Sequence, residues 1–331
     1  MRIKLIGCGG AGCNIVAYLQ KNLSTEHRSQ HDALYIDTSL NNSTPESLAD
    51  GTFYHIKSSG VDGESLYGSG GERATNHPHI ESAVTEFINK NKLHQTNDLN
   101  ILVASLSGGT GSLVLPTMVK KLLASDANVI GLVVADSTSY QYIHNSERSI
   151  VTLNSIATKL SPLPLMYFNN KVYKKDFDSD KIKMCNRDIL TVVSTLSIFT
   201  SGMNKDLDDK DMEFLFKPSK YSVLNVPNGI YGLSAGKCDL SETELTKKRA
   251  LVGRTLTPMS TDTVSPLSNF GLLQYKEGKT EADLNGLEHI DLLLTDNLDE
   301  LYQSLVTDKE SFTRIKEKSS IPVAEDDEFA F

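Results

Sequence analysis

No run of apolar residues in this 331-residue chain approaches the roughly 20 needed to cross a bilayer, so a membrane-spanning role is not expected. Its four cysteines (Cys8, Cys13, Cys185, Cys238) form no C-x-x-C pair and have no zinc-like spacing to histidine. That argues against a disulfide framework or a structural zinc site, and suits a reducing compartment. Basic residues are in deficit: 33 Lys and Arg against 42 Asp and Glu leave a net charge of −9. A broad nucleic-acid surface needs the opposite sign, so direct nucleic-acid binding is not expected. Neither a basic presequence nor an apolar signal segment precedes the first strand-forming run, so a cytoplasmic setting is expected. Internal repeats, low-complexity linkers and the phosphate-loop pattern G-x-x-x-x-G-K-[ST] are missing too. What remains is 39% hydrophobic and 23% charged, an ordinary globular composition with length enough for two cores.

The most informative feature present is a pair of glycine-rich loops, each following an apolar strand. Gly7-Cys8-Gly9-Gly10-Ala11-Gly12-Cys13-Asn14 follows Ile3–Ile6, and Leu106-Ser107-Gly108-Gly109-Thr110-Gly111-Ser112 follows Ile101–Ala104. Each leads into a helical pattern. Missing side chains let backbone N–H groups approach phosphate oxygens, and helix starts add partial positive charge. Two such loops about a hundred residues apart suggest one polyphosphate held between two helix N-termini. Cys8 and Cys13 then read as small apolar spacers.

The first 170 residues alternate strand and helix signals. Strands are expected at Ile3–Ile6, Ala33–Ile36, Ile101–Ala104, Val129–Ala135 and Leu163–Phe168. Helices are expected over Gly12 to Lys21, Ile80–Ile88 and Leu113 to Leu123, with Pro116 in a first turn. Near-continuous apolar strands separated by helices mean a parallel, doubly wound α/β sheet, with phosphate sites at the carboxyl ends of the strands. A long helix follows, about Met184 to Ser201, apolar on more than one face, with Gly202 as its cap. Beyond it, strand signals at Tyr221–Val226, Ile230–Leu233, Phe270–Tyr275 and Ile290–Leu294 describe a smaller α+β domain. Helix signals at Glu242–Val252, Asn297–Val306 and Glu310–Lys318 belong to it. The expected division is 1–182, a central helix 183–203, 204–310, and a C-terminal helix with an acidic tail over 311–331.

Gly7-x-Gly9-x-x-Gly12 also satisfies a dinucleotide fingerprint, with Asp37 placed as a ribose-binding acid. An NAD-dependent oxidoreductase is therefore the rival reading. It leaves the second glycine loop without a purpose.

With both loops in view, the chain resembles the tubulin/FtsZ superfamily of GTP-driven filament proteins. That family's signature is G-G-G-T-G-[ST]-G; here Ser107 and Leu113 stand in place of its first and last glycines. The first loop matches the family's G-x-G-G-x-G-x-N. The resemblance implies GTP or GDP, with a nucleotide-bound Mg²⁺, held by Gly9, Gly10, Ala11 and Gly12 and by Ser107, Gly108, Gly109, Thr110, Gly111 and Ser112. Asn14 then faces the base. Gly70 and Gly71, in Gly68-Ser-Gly-Gly71, sit where the family has a turn near the γ-phosphate, although such a cluster also reads as a plain loop. Asn169, or Asn170 with the register slipped by one, matches the asparagine that reads guanine. Asn186 and Asp188 fall in the base-recognising region, and either side chain can make the contact. Glu147 and Arg148 are candidates for the ribose contact, with a solvated charge pair as the alternative.

Past the long helix, Asn204-Lys205-Asp206-Leu207-Asp208-Asp209 resembles the family's N-x-D-x-x-D loop, which puts Asp206 and Asp209 in the catalytic acid positions. The expected helix of roughly 18 residues is about 27 Å long and separates these acids from the base readers. They are therefore expected to reach a neighbour's nucleotide in a head-to-tail homopolymer, a contact that propagates as a filament. The tail Glu325-Asp-Asp-Glu-Phe-Ala-Phe331 and the compact length are similar to the phage-encoded tubulins (PhuZ type), in which filaments position phage DNA in the infected bacterium. Within the superfamily, a plasmid-segregation or cell-division tubulin homologue is the alternative.

Overall fold

A computed structural model describes residues 1–59, 65–66, 77–95, 97–136, 138–169, 178–200, 230–236, 251–256, 289–295 and 305–311, and the structural statements below concern these. Strand β1 (Arg2–Cys8) runs into α1 (Gly9–Asn22), and α2 (Thr25–Ser29) leads to β2 (His31–Asp37). A short 3-10 turn (Leu40–Asn42) and α3 (Pro45–Ala49) precede β3 (Phe53–His55), and a small ribbon pairs β4 (Ser58–Ser59) with β5 (Ser65–Leu66). Next come α4 (His77–Lys90), β6 (Asp98–Ser105), α5 (Gly111–Ala124), β7 (Asn128–Ala135), α6 (Tyr140–Lys159), β8 (Leu163–Asn169) and α7 (Asp178–Thr200). The later strands are β9 (Ile230–Gly236), β10 (Leu251–Leu256) and β11 (His289–Thr295), and residues 305–311 are helical.

The main sheet has the order β3-β2-β1-β6-β7-β8-β9-β11-β10. It is parallel from β3 to β9 and antiparallel across β9–β11 and β11–β10. The doubly wound parallel sheet expected from the apolar runs is therefore present. Chain order reverses direction between β1 and β6, the crevice where open α/β sheets bind ligands. Both glycine loops leave the sheet at that crevice.

Alternation within the strands decides the two cores. Ile3, Leu5, Ile101, Val103, Ile130, Leu132, Met166 and Phe168 face α1 and α7. Ile6, Cys8, Leu102, Ala104, Val129, Val133, Leu165 and Tyr167 face α4, α5 and α6. All eight residues of β7 are buried, as a strand covered on both faces requires.

Several expected boundaries shift. α5 begins at Gly111, so Pro116 lies in the second turn rather than the first. Its missing N–H leaves the Ser112 carbonyl without the usual partner four residues on. Ser149 Oγ of α6, which gives its hydrogen to the Asn145 carbonyl at 2.7 Å, lies 3.4 Å from that oxygen. α6 itself, 20 residues long, carries no strong apolar run. Its inner face is built from Ile143, Ile150, Leu153 and Ala157 together with buried Asn145, Ser146 and Ser149, so three of its seven buried positions are polar. α7 starts at Asp178, six residues before the expected Met184. Leu251 and Val252 open β10, paired to Leu294 and Leu293, where a helix had been expected through Val252; a cross-strand partner overrides the local pattern. Residues 305–311 form one continuous helical stretch across the expected break at 307–309, which contains no glycine or proline. The expected elements at Tyr221–Val226 and Phe270–Tyr275, the Gly202 cap and the acidic tail lie outside the described residues.

Two contacts fix the far end of α7. The Met1 amino group donates to the Thr200 carbonyl at 3.5 Å, and His31 Nε2 lies 2.7 Å from Ser197 Oγ. The Ser197 hydroxyl gives its one hydrogen to the Val193 carbonyl at 2.7 Å, so His31 donates from Nε2 and its buried Nδ1 has no hydrogen-bond partner. Burial above all, then nearby His27, lowers the His31 pKa from 6.5 to about 4. Between those values the unfolded chain binds more protons, so His31's contribution is complete above pH 6.5 and is lost as pH falls toward 4. The difference is worth at most about 3 kcal/mol. Thermal unfolding followed from pH 7 to pH 4 should show a falling Tm, with the slope reduced in His31→Leu; an equal slope in both proteins would assign the acid sensitivity elsewhere.

Candidate functional site

The two glycine loops meet backbone to backbone. Gly9, the first residue of α1, has φ of +72°, a conformation glycine adopts freely. A Cβ there would lie 2.5 Å from the Gly111 nitrogen, and one on Gly111 would lie 2.8 Å from the Cys8 carbonyl oxygen. Gly12 packs so closely on β6 that a Cβ would collide with the Val103 carbonyl. The starts of α1 and α5 are thereby brought side by side at the carboxyl ends of β1 and β6. Neither helix has a side-chain cap or an acidic residue in its first turn, so side chains leave the leading amide donors to other partners. Around Gly108 the space is open, with no atom within 4 Å of a Cβ position. Paired helix starts beside a glycine turn are the kind of arrangement at which anions bind.

Ala11 and Asn14 are exposed on the outer side of α1, and Gly10 is half-buried against the Asn42 side chain. Gly9 and Gly12 are buried. In the second loop Gly108 and Gly109 are half-buried, while Ser107, Thr110, Gly111 and Ser112 are buried. Cys8 and Cys13 are fully enclosed, and burial pushes both thiols upward, so they serve as spacers with no reactive thiolate.

Ser107, which stands where the resembling family has glycine, turns its hydroxyl into the protein. It accepts from the Asp136 N–H at 2.8 Å and lies 3.0 Å from Ser146 Oγ and 3.1 Å from the Asp136 carbonyl. The Asn145 amide donates to the Ser107 carbonyl at 3.1 Å. The Ser112 hydroxyl closes back on the Gly109 carbonyl at 2.9 Å. Thr110 Oγ1 is 2.7 Å from Thr38 Oγ1, which ties the second loop to the end of β2.

Asp37, the acid of the dinucleotide reading, is 2% exposed. Its carboxylate accepts from the Thr38 N–H at 2.8 Å and from the Asn42 amide at 2.6 Å. Burial raises its pKa, and bonds from Asn42, Thr38 and Thr110 pull it back. These oxygens brace the loops from within rather than face a ribose. Sequence patterning does not single out Thr38 and Asn42; the available signal is a Thr and an Asn just after a strand-ending Asp.

The base-side candidates lie on β8, α6 and α7. Asn169 ends β8, and Asn186 and Asp188 are both half-buried near the start of α7. Glu147 is on α6 and its carboxylate is held by Lys309 at 2.6 Å, with His144 Nδ1 at 3.8 Å; neighbouring Arg148 is exposed. Gly70, Gly71, Asn170, Asp206 and Asp209 lie outside the described residues. From Asn186 to Thr200 the helix advances about 21 Å. Thr200 is tied to Met1, at the start of the strand whose other end carries the first loop. The described residues contain no cluster of His, Cys, Asp or Glu suited to hold a metal ion, and no helix long and apolar enough to cross a membrane.

Comparison with known proteins agrees with this geometry. The model of the tubulin/FtsZ family GTPase domain matches residues 2–175, more than half of the chain. A phage tubulin-like protein of Pseudomonas phage phiKZ is 24% identical over 216 residues, 64% of this chain and 62% of that protein, so the match spans less than two thirds of the relative. Among solved structures, the protofilament of TubZ from bacteriophage PhiKZ superposes with a TM-score of 0.71 at 19% identity, covering 98% of this chain and 95% of that one. The phage tubulin PhuZ with GDP gives 0.70 at 16% identity, with 99% and 95% covered. An FtsZ dimer from M. jannaschii gives 0.56 at 14%, with 89% and 88% covered. At these identities the superpositions show the fold.

The two kinds of loop glycine should respond differently to a methyl group. Gly12→Ala is expected to cost about 1–3 kcal/mol through displacement of β6, whereas Gly108→Ala should change stability by less than about 0.5 kcal/mol. Urea unfolding of both variants checks this, and equal losses would contradict the close packing of Gly12.

Proposed function

Because the chain belongs to the tubulin/FtsZ family through its GTPase domain, we propose that it is a GTP-hydrolysing filament protein that stacks head to tail. The abutting starts of α1 and α5 carry this reading. Gly9, Gly10, Ala11 and Gly12, with Gly108, Gly109, Thr110 and Gly111, bind the phosphates through backbone N–H groups. Ser107 and Ser112 shape the turn from inside. Asn14, Asn169 and either Asn186 or Asp188 face the guanine, whose adjacent N–H donors suit a carboxylate and whose carbonyl suits an amide. Gly70 and Gly71 approach the terminal phosphate. Glu147, bonded to Lys309, has no ribose role in this reading. A Mg²⁺ ion bound with the phosphates would offset their charge.

Hydrolysis then rests on positioning and charge. Asp206 and Asp209 orient and polarise the attacking water at the junction between subunits. Support comes from the course of α7, which ends beside Met1, roughly 23 Å along β1 from the first loop. The described part of α7 ends at the amino end of β1, opposite the loops, and Asp206 and Asp209 follow Thr200 by six and nine residues in sequence. A stacked neighbour brings those two ends together, and the contact repeats without closing. The similar proteins include a protofilament of TubZ and a PhuZ201 filament, which favours self-association here. The division into a GTP-binding domain (1–182), central helix (183–203), C-terminal domain (204–310) and tail segment (311–331) is part of the proposal, as are a cytoplasmic setting and the positioning of phage DNA.

Light scattering should rise with GTP and stay flat with NAD; the reverse would establish the dinucleotide reading. Asp206→Ala and Asp209→Ala should leave GTP affinity of the monomer intact, lower turnover by about 10²-fold or more and lengthen filament lifetime. Loss of monomer affinity would overturn their action on a neighbour's nucleotide. Deleting Val323–Phe331 should raise the critical concentration for assembly if the tail contacts the next subunit, and leave it unchanged if the tail is a solvated end.

A further inference from the structure

We propose that α6 couples the helical stretch 305–311 to the second glycine loop, so that the Lys309–Glu147 ion pair strengthens GTP binding at a site about 160 residues away in sequence. The inference rests on the reading of the loops as a nucleotide site and adds a regulatory connection that this reading does not contain.

One turn of α6 carries both ends of the connection. On its inner face Asn145, Ser146 and Ser149 are 3%, 0% and 0% exposed. They lie against the Ser107 carbonyl, the Ser107 hydroxyl and the Ser112 carbonyl. The Asn145 amide donates to the Ser107 carbonyl at 3.1 Å, and the Ser107 and Ser146 hydroxyl oxygens are 3.0 Å apart. Ser149 Oγ, which gives its hydrogen to the Asn145 carbonyl at 2.7 Å, lies 3.4 Å from the Ser112 carbonyl oxygen. The second loop therefore meets α6 at three points. Glu147, between Ser146 and Ser149 in sequence, is rotated off that face and meets Lys309 at 2.6 Å.

The stretch 305–311 is anchored well enough to transmit a force. Leu305 is 2% exposed and sits in the core shared with α5 and α6. The two side chains of the ion pair are only 29% and 17% exposed, which spares it much of the screening of a surface pair. Burial, and then Asp308, pushes the Tyr167 phenol upward, in keeping with close docking of the stretch on β8. A packed helix moves as a body, so release of Glu147 shifts the groups that lie against Ser107 and Ser112. Coupling of this kind is reciprocal: bound nucleotide must favour the docked stretch as the docked stretch favours nucleotide.

The test measures GTP affinity of the monomer, below the critical concentration, by equilibrium titration. Lys309→Gln should weaken it about 5- to 30-fold, and Lys309→Arg should restore it. Ser146→Ala should weaken it as well, and the double variant should lose less than the two single losses combined, since both act through one helix. Hydrogen exchange at residues 305–311 of the unaltered protein should slow on adding GTP, a readout that stands even if a variant fails to fold. Unchanged affinity in a folded Lys309→Gln protein overturns the coupling while leaving the nucleotide site intact, as does exchange at 305–311 that ignores GTP. An unaltered chain that binds no GTP overturns the nucleotide site itself, and the coupling with it.

Discussion

The backbone contact between Gly9 and Gly111 is the constraint on which the rest of the molecule depends. It brings the starts of two helices from different crossovers within van der Waals distance, where strand order reverses between β1 and β6. Any side chain on either glycine would separate them. Because the helix starts adjoin, the proposed phosphate site can draw on the leading amides of both. The buried carboxylate of Asp37 and the Thr38–Thr110 bond brace this arrangement from below. Polar groups in that bracing are satisfied within the protein, which keeps them out of the cradle and keeps the cradle's shape fixed.

Length and direction then divide the proposed chemistry between two edges of one sheet. The 23-residue α7 lies across the face formed by β1, β6, β7 and β8 and returns the chain to the level of Met1. The chain therefore leaves this helix at the edge of the sheet opposite the glycine loops. The similar phage proteins include a protofilament and a filament, which suits the proposed sharing of the site between subunits. The buried His31–Ser197 bond holds the end of that helix, and its neutrality at physiological pH comes from desolvation.

Substitution within the second loop shows how a local departure is absorbed. A serine at position 107 adds a hydroxyl where the resembling family has none, and this fold turns it inward onto Asp136 and Ser146. The residue keeps the loop's course while adding a mechanical link to α6. Pro116 removes the N–H that would face the Ser112 carbonyl, and Ser149 Oγ of α6 lies 3.4 Å from that oxygen. Two irregularities in sequence thus lie where one helix meets the loop.

Much of this was legible in the residues. Strongly apolar runs such as Val129–Ala135 announce buried parallel strands because burial on both faces leaves no room for polar alternation. Glycines spaced after such strands announce close backbone approach because no other residue permits it. Those local demands determined the sheet, its doubly wound class and the position of the cradle. α6 escaped notice because Asn145, Ser146 and Ser149 are core positions only by virtue of the carbonyls they meet. β10 took Leu251 and Val252 from an expected helix because strand pairing is a contact between distant residues. The inward turn of Ser107, the sequestration of Asp37 and the Lys309–Glu147 pair were likewise decided by tertiary structure. Each depends on a partner brought near by folding, and a hydrogen bond or ion pair between distant positions leaves no periodicity in the chain for a sequence to reveal.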